Sequence, residues 1–307
     1  MENAIRYNYG LNFTSFKHDQ NFVILTDDEH TYYLIPYTRP VDDLKDIYYV
    51  TEELIKRNVA THSFVLNNKN HLLTKIDNTD YVMLRINYLE LYEFSLNEIN
   101  ILNKLSTLND DKSKLYRNNW GELWSTKVDY LEYQLSELGH GKKLILNSFS
   151  YYIGLAENAI SYVNQVNKIF KEESKSDIVL SRKRIYSPNY AVNYLNPLNY
   201  IFDIEVRDLA EYIKSMFFND IDVWSEIDDL FKTNHFTPYL CHMFYARLLY
   251  PSYYFDKYQD IMDKDNKEEE LIYIINKNED WEDFLQDMFY YLNNFTHMIP
   301  INWLIKK

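Results

Sequence analysis

Glycine and cysteine are both scarce in this chain. Its 307 residues include only five glycines and one cysteine, Cys241. A disulfide needs two cysteines and a cysteine-based zinc site needs several, so both are excluded. A glycine-rich loop that holds phosphate groups also has little to be built from, because glycine is the residue that lets the backbone approach a phosphate closely.

Positive charge and long apolar runs are lacking as well. The chain has 32 Lys and Arg against 46 Asp and Glu, which gives a net charge of −14 at pH 7. A field of this sign repels a polymer of phosphates, so nucleic acid is not an expected partner. The first residues lack the apolar core of a signal peptide, and no run reaches the roughly 18 apolar residues of a membrane helix. We therefore expect a cytoplasmic protein that does not contact a membrane.

Tyrosine, by contrast, is abundant, with 30 residues, and 46% of the chain is hydrophobic. This composition is typical of a folded globular protein. Tyrosine rings have an apolar body and a polar tip, so they suit both a core and a surface that binds another protein. The composition therefore favours a protein partner.

Residues 1–88 have the pattern of an antiparallel sheet that carries one helix. The predicted strands are 22–25, 31–37, 63–66, 71–76 and 81–86. Short polar linkers join the first two and the next two, which predicts two hairpins. Apolar residues at helical spacing predict the one helix over 41–56.

From residue 95 onward the apolar spacing becomes helical. Helices are predicted near 96–105 and over 120–138, 147–170, 206–218, 221–232, 236–250, 252–263, 266–277 and 279–294. The chain is therefore predicted to be α+β, with an N-lobe over 1–88 and a larger, mostly helical C-lobe over 89–307.

The most informative part of the C-lobe is the segment 177–215. An apolar start at 178–180 leads into a basic stretch, then a crossing rich in Pro and Asn, then Asp203 and the helix start at Arg207 and Asp208. This order resembles the catalytic segment of the aminoglycoside phosphotransferases in the protein-kinase-like superfamily. Further stretches, at 127–134, 148–158 and 245–256, resemble the spore-coat-associated kinase-like proteins of the CotS and YutH type. The resemblance implies a bilobal kinase-like fold, with ATP and Mg²⁺ as cofactors.

The position of the catalytic base departs from the family pattern. The superfamily uses a His-x-Asp-x-x-x-x-Asn loop, which places its His at Arg182, its Asp at Arg184 and its Asn at Asn189 in this sequence. A guanidinium cannot accept a proton at neutral pH, so Arg184 cannot act as the usual catalytic carboxylate. Arg182, Lys183 and Arg184 could bind an anionic ligand or could equally pair with acidic side chains.

The resemblance also suggests which residues would hold a metal and a nucleotide. Asn189 and Asp203 are the candidate metal ligands, with Asn199 as the alternative to Asp203. Asp203 could equally cap or pair near the helix start at Arg207. The lysine that normally binds phosphate is absent from the second strand, where Arg39 is the nearest substitute. Glu53 is a candidate for the helix glutamate that normally pairs with this lysine. Binding of ATP and Mg²⁺ is therefore expected to be weak or lost.

Three hypotheses remain open. The first is a pseudokinase that binds or scaffolds a protein partner in the assembly of a bacterial spore coat or envelope, with nucleotide as a second ligand at most. The second is an active kinase that uses ATP and Mg²⁺ to phosphorylate a hydroxyl of a metabolite or an antibiotic-like substrate. The third is a helical adaptor outside this superfamily. A metal or nucleophile site at His235, Cys241 and His242 is disfavoured, because no third ligand or orienting base is evident.

Overall fold

The computed structural model describes residues 1–19, 22–87, 95–105, 113–139, 141–170, 178–185, 194–264 and 267–305. The chain forms two compact units, and each draws on several stretches of sequence. Unit 1 comprises Met1–Phe94, Leu105–Tyr116 and Arg182–Ile201. Unit 2 comprises Ser95–Lys104, Arg117–Ser181 and Phe202–Lys307.

Within its described residues, unit 1 contains an antiparallel sheet of six strands. The strands are β1 Ser15–His18, β2 Val23–Thr26, β3 Thr31–Pro36, β4 Ser63–Val65, β5 Leu73–Ile76 and β6 Thr79–Ile86. The sheet order is β1-β2-β3-β6-β4, and β5 also pairs with β6. Alternation places Leu25 and Leu34 in one apolar cluster and Val82 and Leu84 in another, so the sheet has a core on each face.

The predicted hairpin at 22–25 and 31–37 is present as β2 and β3, but the second predicted hairpin is wrong. β4 and β5 do not pair with each other; both pair with the same edge of β6, β4 opposite Met83–Arg85 and β5 opposite 79–82. Asp77 and Asn78 both have positive φ and form the tight turn between β5 and β6. Residues 67–70 have the polar composition of a hairpin turn, but they form a local loop. The Asn67 side chain stabilises this loop by accepting hydrogen bonds from the backbone N–H groups of Lys69 and His71.

Two helices belong to the sequence before residue 88. The predicted helix is α2 Val41–Lys56, with the bounds expected from the sequence. The other, α1 Glu2–Tyr9, was not predicted, because only Ile5 and Tyr9 are buried and the apolar pattern is too short to recognise. It ends at Gly10, whose φ of 66° is the left-handed conformation that favours glycine at a helix end.

Helices make up most of unit 2. They are α3 Leu96–Leu105, α4 Trp120–Leu138, α5 Lys143–Ile169, α6 Arg207–Phe217, α7 Trp224–Thr233, α8 Pro238–Leu249, α9 Ser252–Lys264, α10 Ile272–Asn276, α11 Asn278–Leu292 and α12 Asn302–Ile305. α5 packs against α4 and α8, and α8 also packs against α6. α8 is buried from Tyr239 to Leu249 and forms the centre of this packing.

The catalytic-like segment has its own short elements. These are strand β7 Ile178–Arg182, the 3-10 helix Pro197–Asn199 and strand β8 Tyr200–Ile204, and β7 pairs with β8. The helix predicted over 266–277 is instead a 3-10 turn, Glu268–Leu271, followed by the short α10. Among the described helices, none is both long enough and apolar enough to span a bilayer.

Candidate functional site

The carboxylate of Asp203 lies at the end of β8, and its side chain is closed off from solvent. The residue is only 1% exposed. One carboxylate oxygen, Oδ1, accepts hydrogen bonds from Trp120 Nε1 at 2.7 Å and from the backbone N–H of Ile204 at 2.8 Å. The other oxygen, Oδ2, pairs with Arg207 Nε at 2.9 Å. Protein donors therefore occupy both oxygens of the candidate metal ligand.

The protonation state of Asp203 follows from its surroundings. Burial raises the pKa of Asp203 to about 6, and the nearby guanidinium groups of Arg207 and Arg247 only partly offset this effect. The group is thus ionised at neutral pH and faces the two arginine cations. Three protein donors already use three of the roughly four lone pairs of this carboxylate, so a divalent metal would have to compete with Arg207 for it in a site closed to solvent.

Asp203 and Arg207 are part of a larger set of buried charges. Arg207 Nη1 also bonds to Asp208 Oδ1 at 3.2 Å. Arg247, on α8, lies with its guanidinium carbon 5.3 Å from the ring centre of Trp120, which itself bonds to Asp203. The tryptophan thereby connects the two arginines.

The other end of this set is centred on Glu211. Glu211 Oε1 accepts from Arg247 Nε at 2.7 Å and from Lys214 Nζ at 2.9 Å, and Ser252 Oγ lies 2.9 Å from Oε2. Although burial opposes ionisation, the charges of Arg247 and Lys214 hold the pKa of Glu211 well below its usual range. Burial lowers the pKa of Lys214 to about 8.

We name these six residues the buried charge cluster. Its members are Asp203, Arg207, Asp208, Glu211, Lys214 and Arg247. Three acids balance three bases, so the cluster is neutral overall and is satisfied by its own members and adjacent polar groups. Sequence analysis identified Asp203 as a metal ligand but missed Glu211, Lys214 and Arg247. The only sequence signal was the Glu211–Lys214 spacing of three, which is also typical of exposed helix pairs.

In unit 1, Arg39 is a structural cation. Its Nε and Nη2 bond to Asp43 Oδ2 at 3.3 and 3.0 Å. Its Nη1 donates to the carbonyl oxygens of Leu198 and Tyr200, at 3.0 and 2.9 Å. The side chain is 9% exposed and four of its five N–H donors are engaged, which leaves little of it for a phosphate. Glu53 pairs with Lys56 at 2.8 Å, so the structure does not bring it to Arg39.

The two arginines of the catalytic-like loop differ in burial. Arg182, at the position of the family histidine, is buried; its Nε donates to the carbonyl of Tyr194 at 3.1 Å and its guanidinium lies 4.0 Å from the centre of that ring. Arg184, at the position of the catalytic carboxylate, is half-buried and donates to the carbonyl of Lys183 at 3.0 Å. Asn189, the other candidate metal ligand, lies outside the described residues.

Asn199, the alternative to Asp203, ends the 3-10 helix of the segment. Its backbone N–H bonds to the carbonyl of Asn196, and its carbonyl accepts from the backbone N–H of Lys183. These contacts fix the turn in unit 1, whereas Asp203 lies in unit 2.

The His and Cys residues of α8 are part of the packed interior. His242 Nδ1 lies 2.8 Å from the Tyr162 hydroxyl, and burial lowers the pKa of His242 to about 4. Burial also raises the pKa of the Cys241 thiol to about 11. Throughout the described part of the chain, no group of three or more His, Cys, Asp or Glu residues is arranged to hold a metal.

Comparison with known proteins fits this geometry. The family described as "Spore coat putative kinase YutH" matches residues 2–288. The chain belongs to this family. It is 28% identical over 210 residues to the endospore coat-associated protein YutH of Bacillus subtilis (strain 168), and that match spans 61% of each protein. The match thus covers less than two thirds of the relative's length.

Solved structures place the family member in the kinase-like fold. An aminoglycoside phosphotransferase from Alicyclobacillus acidocaldarius matches with a TM-score of 0.66 at 11% identity, covering 94% of this chain and 95% of that one. A spectinomycin phosphotransferase in its AMP-bound complex matches with a TM-score of 0.56 at 11% identity, covering 90% and 93%. A microcompartment-associated aminopropanol kinase matches with a TM-score of 0.51 at 10% identity, covering 81% and 86%. The predicted α+β, protein-kinase-like fold is confirmed.

Proposed function

We propose that this protein is a pseudokinase: a kinase-fold member of a spore coat family that has lost phosphoryl transfer and acts as a binding or scaffold module in coat assembly. The observation that carries the proposal is the state of Asp203. Its two carboxylate oxygens accept from Trp120, Ile204 and Arg207 in a site with almost no solvent exposure. A residue held in this way stabilises the fold and is not free to coordinate Mg²⁺.

The described residues do not fit a bound Mg²⁺–ATP. Phosphoryl transfer needs a cation for the phosphates, oxygen ligands for the metal and a carboxylate for the attacking hydroxyl. Arg39 is committed to Asp43 and to two backbone carbonyls. The carboxylate position is occupied by Arg184, and the polar turn at 27–30 carries acids but no glycine. A phosphate would be repelled at that turn.

The alternative is an ATP- and Mg²⁺-dependent kinase that acts on a small hydroxylated molecule. One observation favours it: Asp203 is retained and is ionised at neutral pH. The similar spectinomycin phosphotransferase was solved with AMP in one structure and with ADP and its antibiotic in another. Under this alternative, Arg207 would have to release Asp203 when Mg²⁺ binds.

Thermal unfolding separates the two. The midpoint is measured with millimolar ATP, once with Mg²⁺ and once with EDTA, because a ligand bound only to the native state raises the midpoint by mass action. A pseudokinase with this geometry should show no Mg²⁺-dependent rise. A rise that requires Mg²⁺ and disappears in Asp203→Asn would overturn the proposal in favour of the kinase. A rise of the same size with Mg²⁺ and with EDTA would indicate a pseudokinase that binds nucleotide without a metal.

A second measurement addresses turnover directly. Release of ADP from ATP is followed with aminoglycosides and amino alcohols as acceptors, since these are the substrate classes in the names of the similar structures. We expect no release above the protein-free rate for either the wild type or Arg184→Asp, because restoring one carboxylate does not free Asp203. Turnover by the wild type that is lost in Asp203→Asn would contradict the proposal.

A further inference from the structure

Helix α4 has an exposed apolar stripe on the side away from its core. The stripe consists of Leu123, Tyr130 and Tyr133, which are 41%, 47% and 65% exposed. Their spacings of seven and three residues place Tyr130 two turns after Leu123 and Tyr133 about one turn further, all on one side of the helix.

The stripe is not needed for the packing of unit 2. The opposite side of α4 supplies the core with Trp124, Val128 and Leu131, each less than 6% exposed. α4 packs against α5 on that side. Exposed apolar side chains grouped on one side of a helix mark a contact with another molecule more often than scattered single residues do.

Acidic side chains border the stripe on both sides. On one side the exposed residues Glu122, Asp129 and Glu132 run along α4 itself. On the other side, Asp263 of α9 accepts a hydrogen bond from Gln134 Nε2 at 3.4 Å, which places this exposed carboxylate beside the second half of the stripe. The basic residue within the stripe, Lys127, lies over the ring of Tyr130 at 5.4 Å.

We propose that the apolar stripe of α4 is the docking site for a basic amphipathic helix of another protein. The acidic residues beside the stripe indicate the chemistry of this partner. Lys or Arg residues on the partner helix would pair with the carboxylates, while its Leu or aromatic residues would cover the stripe. A second copy of this chain is disfavoured, because pairing two such faces would bring the acidic borders together. The inference rests on the proposed function, since it names the surface and partner chemistry of the binding module.

The test uses two synthetic helical peptides with the same leucine and tyrosine spacing, one flanked by Lys and one by Glu. Binding to the full-length protein is measured by fluorescence anisotropy. We expect the Lys-flanked peptide to bind, to weaken as salt screens the acidic border, and to lose at least about tenfold in affinity in Leu123→Ser/Tyr133→Ser. The Glu-flanked peptide should not bind.

The matched control is Tyr290→Ser, on α11. This tyrosine is also about half exposed and lies on a helix face with the exposed carboxylates Asp283 and Asp287, so it reports on generic attraction to an acidic, aromatic surface. The control should bind like the wild type. Equal binding of the Lys-flanked peptide to all three proteins, or equal binding of both peptides, overturns the docking site. So does a dimer in sedimentation that the stripe variant abolishes, because the occupant is then a second copy.

Failure of this inference is distinguishable from failure of the proposed function. Catalysis and Mg²⁺-dependent nucleotide binding would depend on Asp203 and the segment 177–215, and neither is altered in the stripe variant. A protein that binds no Mg²⁺–ATP and does not bind the peptide remains a pseudokinase with its docking site elsewhere. A protein that turns over ATP and binds the peptide retains the docking site and loses the pseudokinase assignment.

Discussion

The two units surround their charged side chains in different ways. In unit 1, arginines occupy functional positions and direct their N–H groups at backbone carbonyls: Arg39 at Leu198 and Tyr200, and Arg182 at Tyr194. In unit 2, the acidic residue Asp203 is retained, but its carboxylate pairs with Arg207 within the buried charge cluster, which is neutral overall. The comparison teaches that the residue type at a family position does not by itself fix what the side chain can do, because its role depends on which groups surround it.

The largest expected change in the free energy of unfolding comes from a substitution in the buried charge cluster of unit 2. Glu211→Gln leaves Arg247 and Lys214 buried without their shared carboxylate, and breaking a buried ion pair from one side costs about 3–5 kcal/mol. Urea unfolding of the variant and of the wild type measures this loss of stability. The control is Glu53→Gln, where the glutamate and Lys56 form an exposed helix pair, and no measurable change is expected. A Glu211→Gln protein as stable as the control contradicts the cluster's structural role.

The matching change in unit 1 is Arg39→Ala. It removes the ion pair of Arg39 with the buried Asp43 carboxylate and the donor to two backbone carbonyls, so a loss of about 3 kcal/mol is expected in urea unfolding. Arg39→Lys should restore little of this, since an ammonium cannot reproduce the forked contacts. Lys45→Ala, an exposed change on the same helix, is the control. Full rescue by lysine would show that charge alone is needed at this position.

A pH series tests the cluster more finely. Because the pKa of Asp203 is about 6 in the folded protein and about 3.9 in an unfolded chain, its contribution to stability is complete below about pH 4 and is lost as pH rises through 6. The stability of wild type relative to Asp203→Asn should therefore fall by about 2–3 kcal/mol between pH 4 and 7. Denaturant unfolding of both proteins at several pH values gives this difference. A difference that grows with pH would mean that Arg207 lowers the pKa below its usual range.

The smallest effect concerns Cys241, which lies in α8 of unit 2. Its thiol is buried and its pKa is raised to about 11, so a thiol reagent at neutral pH should react with the native protein far more slowly than with the unfolded chain. The rate then reports on opening of unit 2. We expect Glu211→Gln to accelerate the reaction more than Arg39→Ala does. Equal acceleration by both would mean that the two units open together.

The sequence predicted the parts of this fold that depend on local pattern. α2 and α4 have the predicted bounds, because apolar residues recur on one side of each helix over several turns. The pairing of β4 and β5 with β6 was not predicted, since apolar alternation shows which residues face the core but not which strands are neighbours. The tight turn at Asp77 and Asn78 joins β5 directly to β6.

Contacts between residues far apart in sequence also limited what could be predicted about the candidate site. Arg39 was predicted as a phosphate-binding cation, but its backbone acceptors lie about 160 residues away in sequence. The pairing of Glu211 with Arg247, across 36 residues, was also not predictable, because neither residue differs in type from an exposed one. The departures of Arg184 and Arg182 from the family pattern could be recognised from the sequence alone, because they are changes of residue type at the fixed spacing of the motif.

The discontinuity of unit 1 has a consequence for synthesis on the ribosome. Arg39 and Asp43 emerge early, but the carbonyls of Leu198 and Tyr200 that complete this contact emerge only after nearly two thirds of the chain has been made. Chains generally fold domain by domain as they emerge, and contacts between distant residues form late. Unit 1 therefore cannot complete this contact until much of the sequence of unit 2 has also been translated.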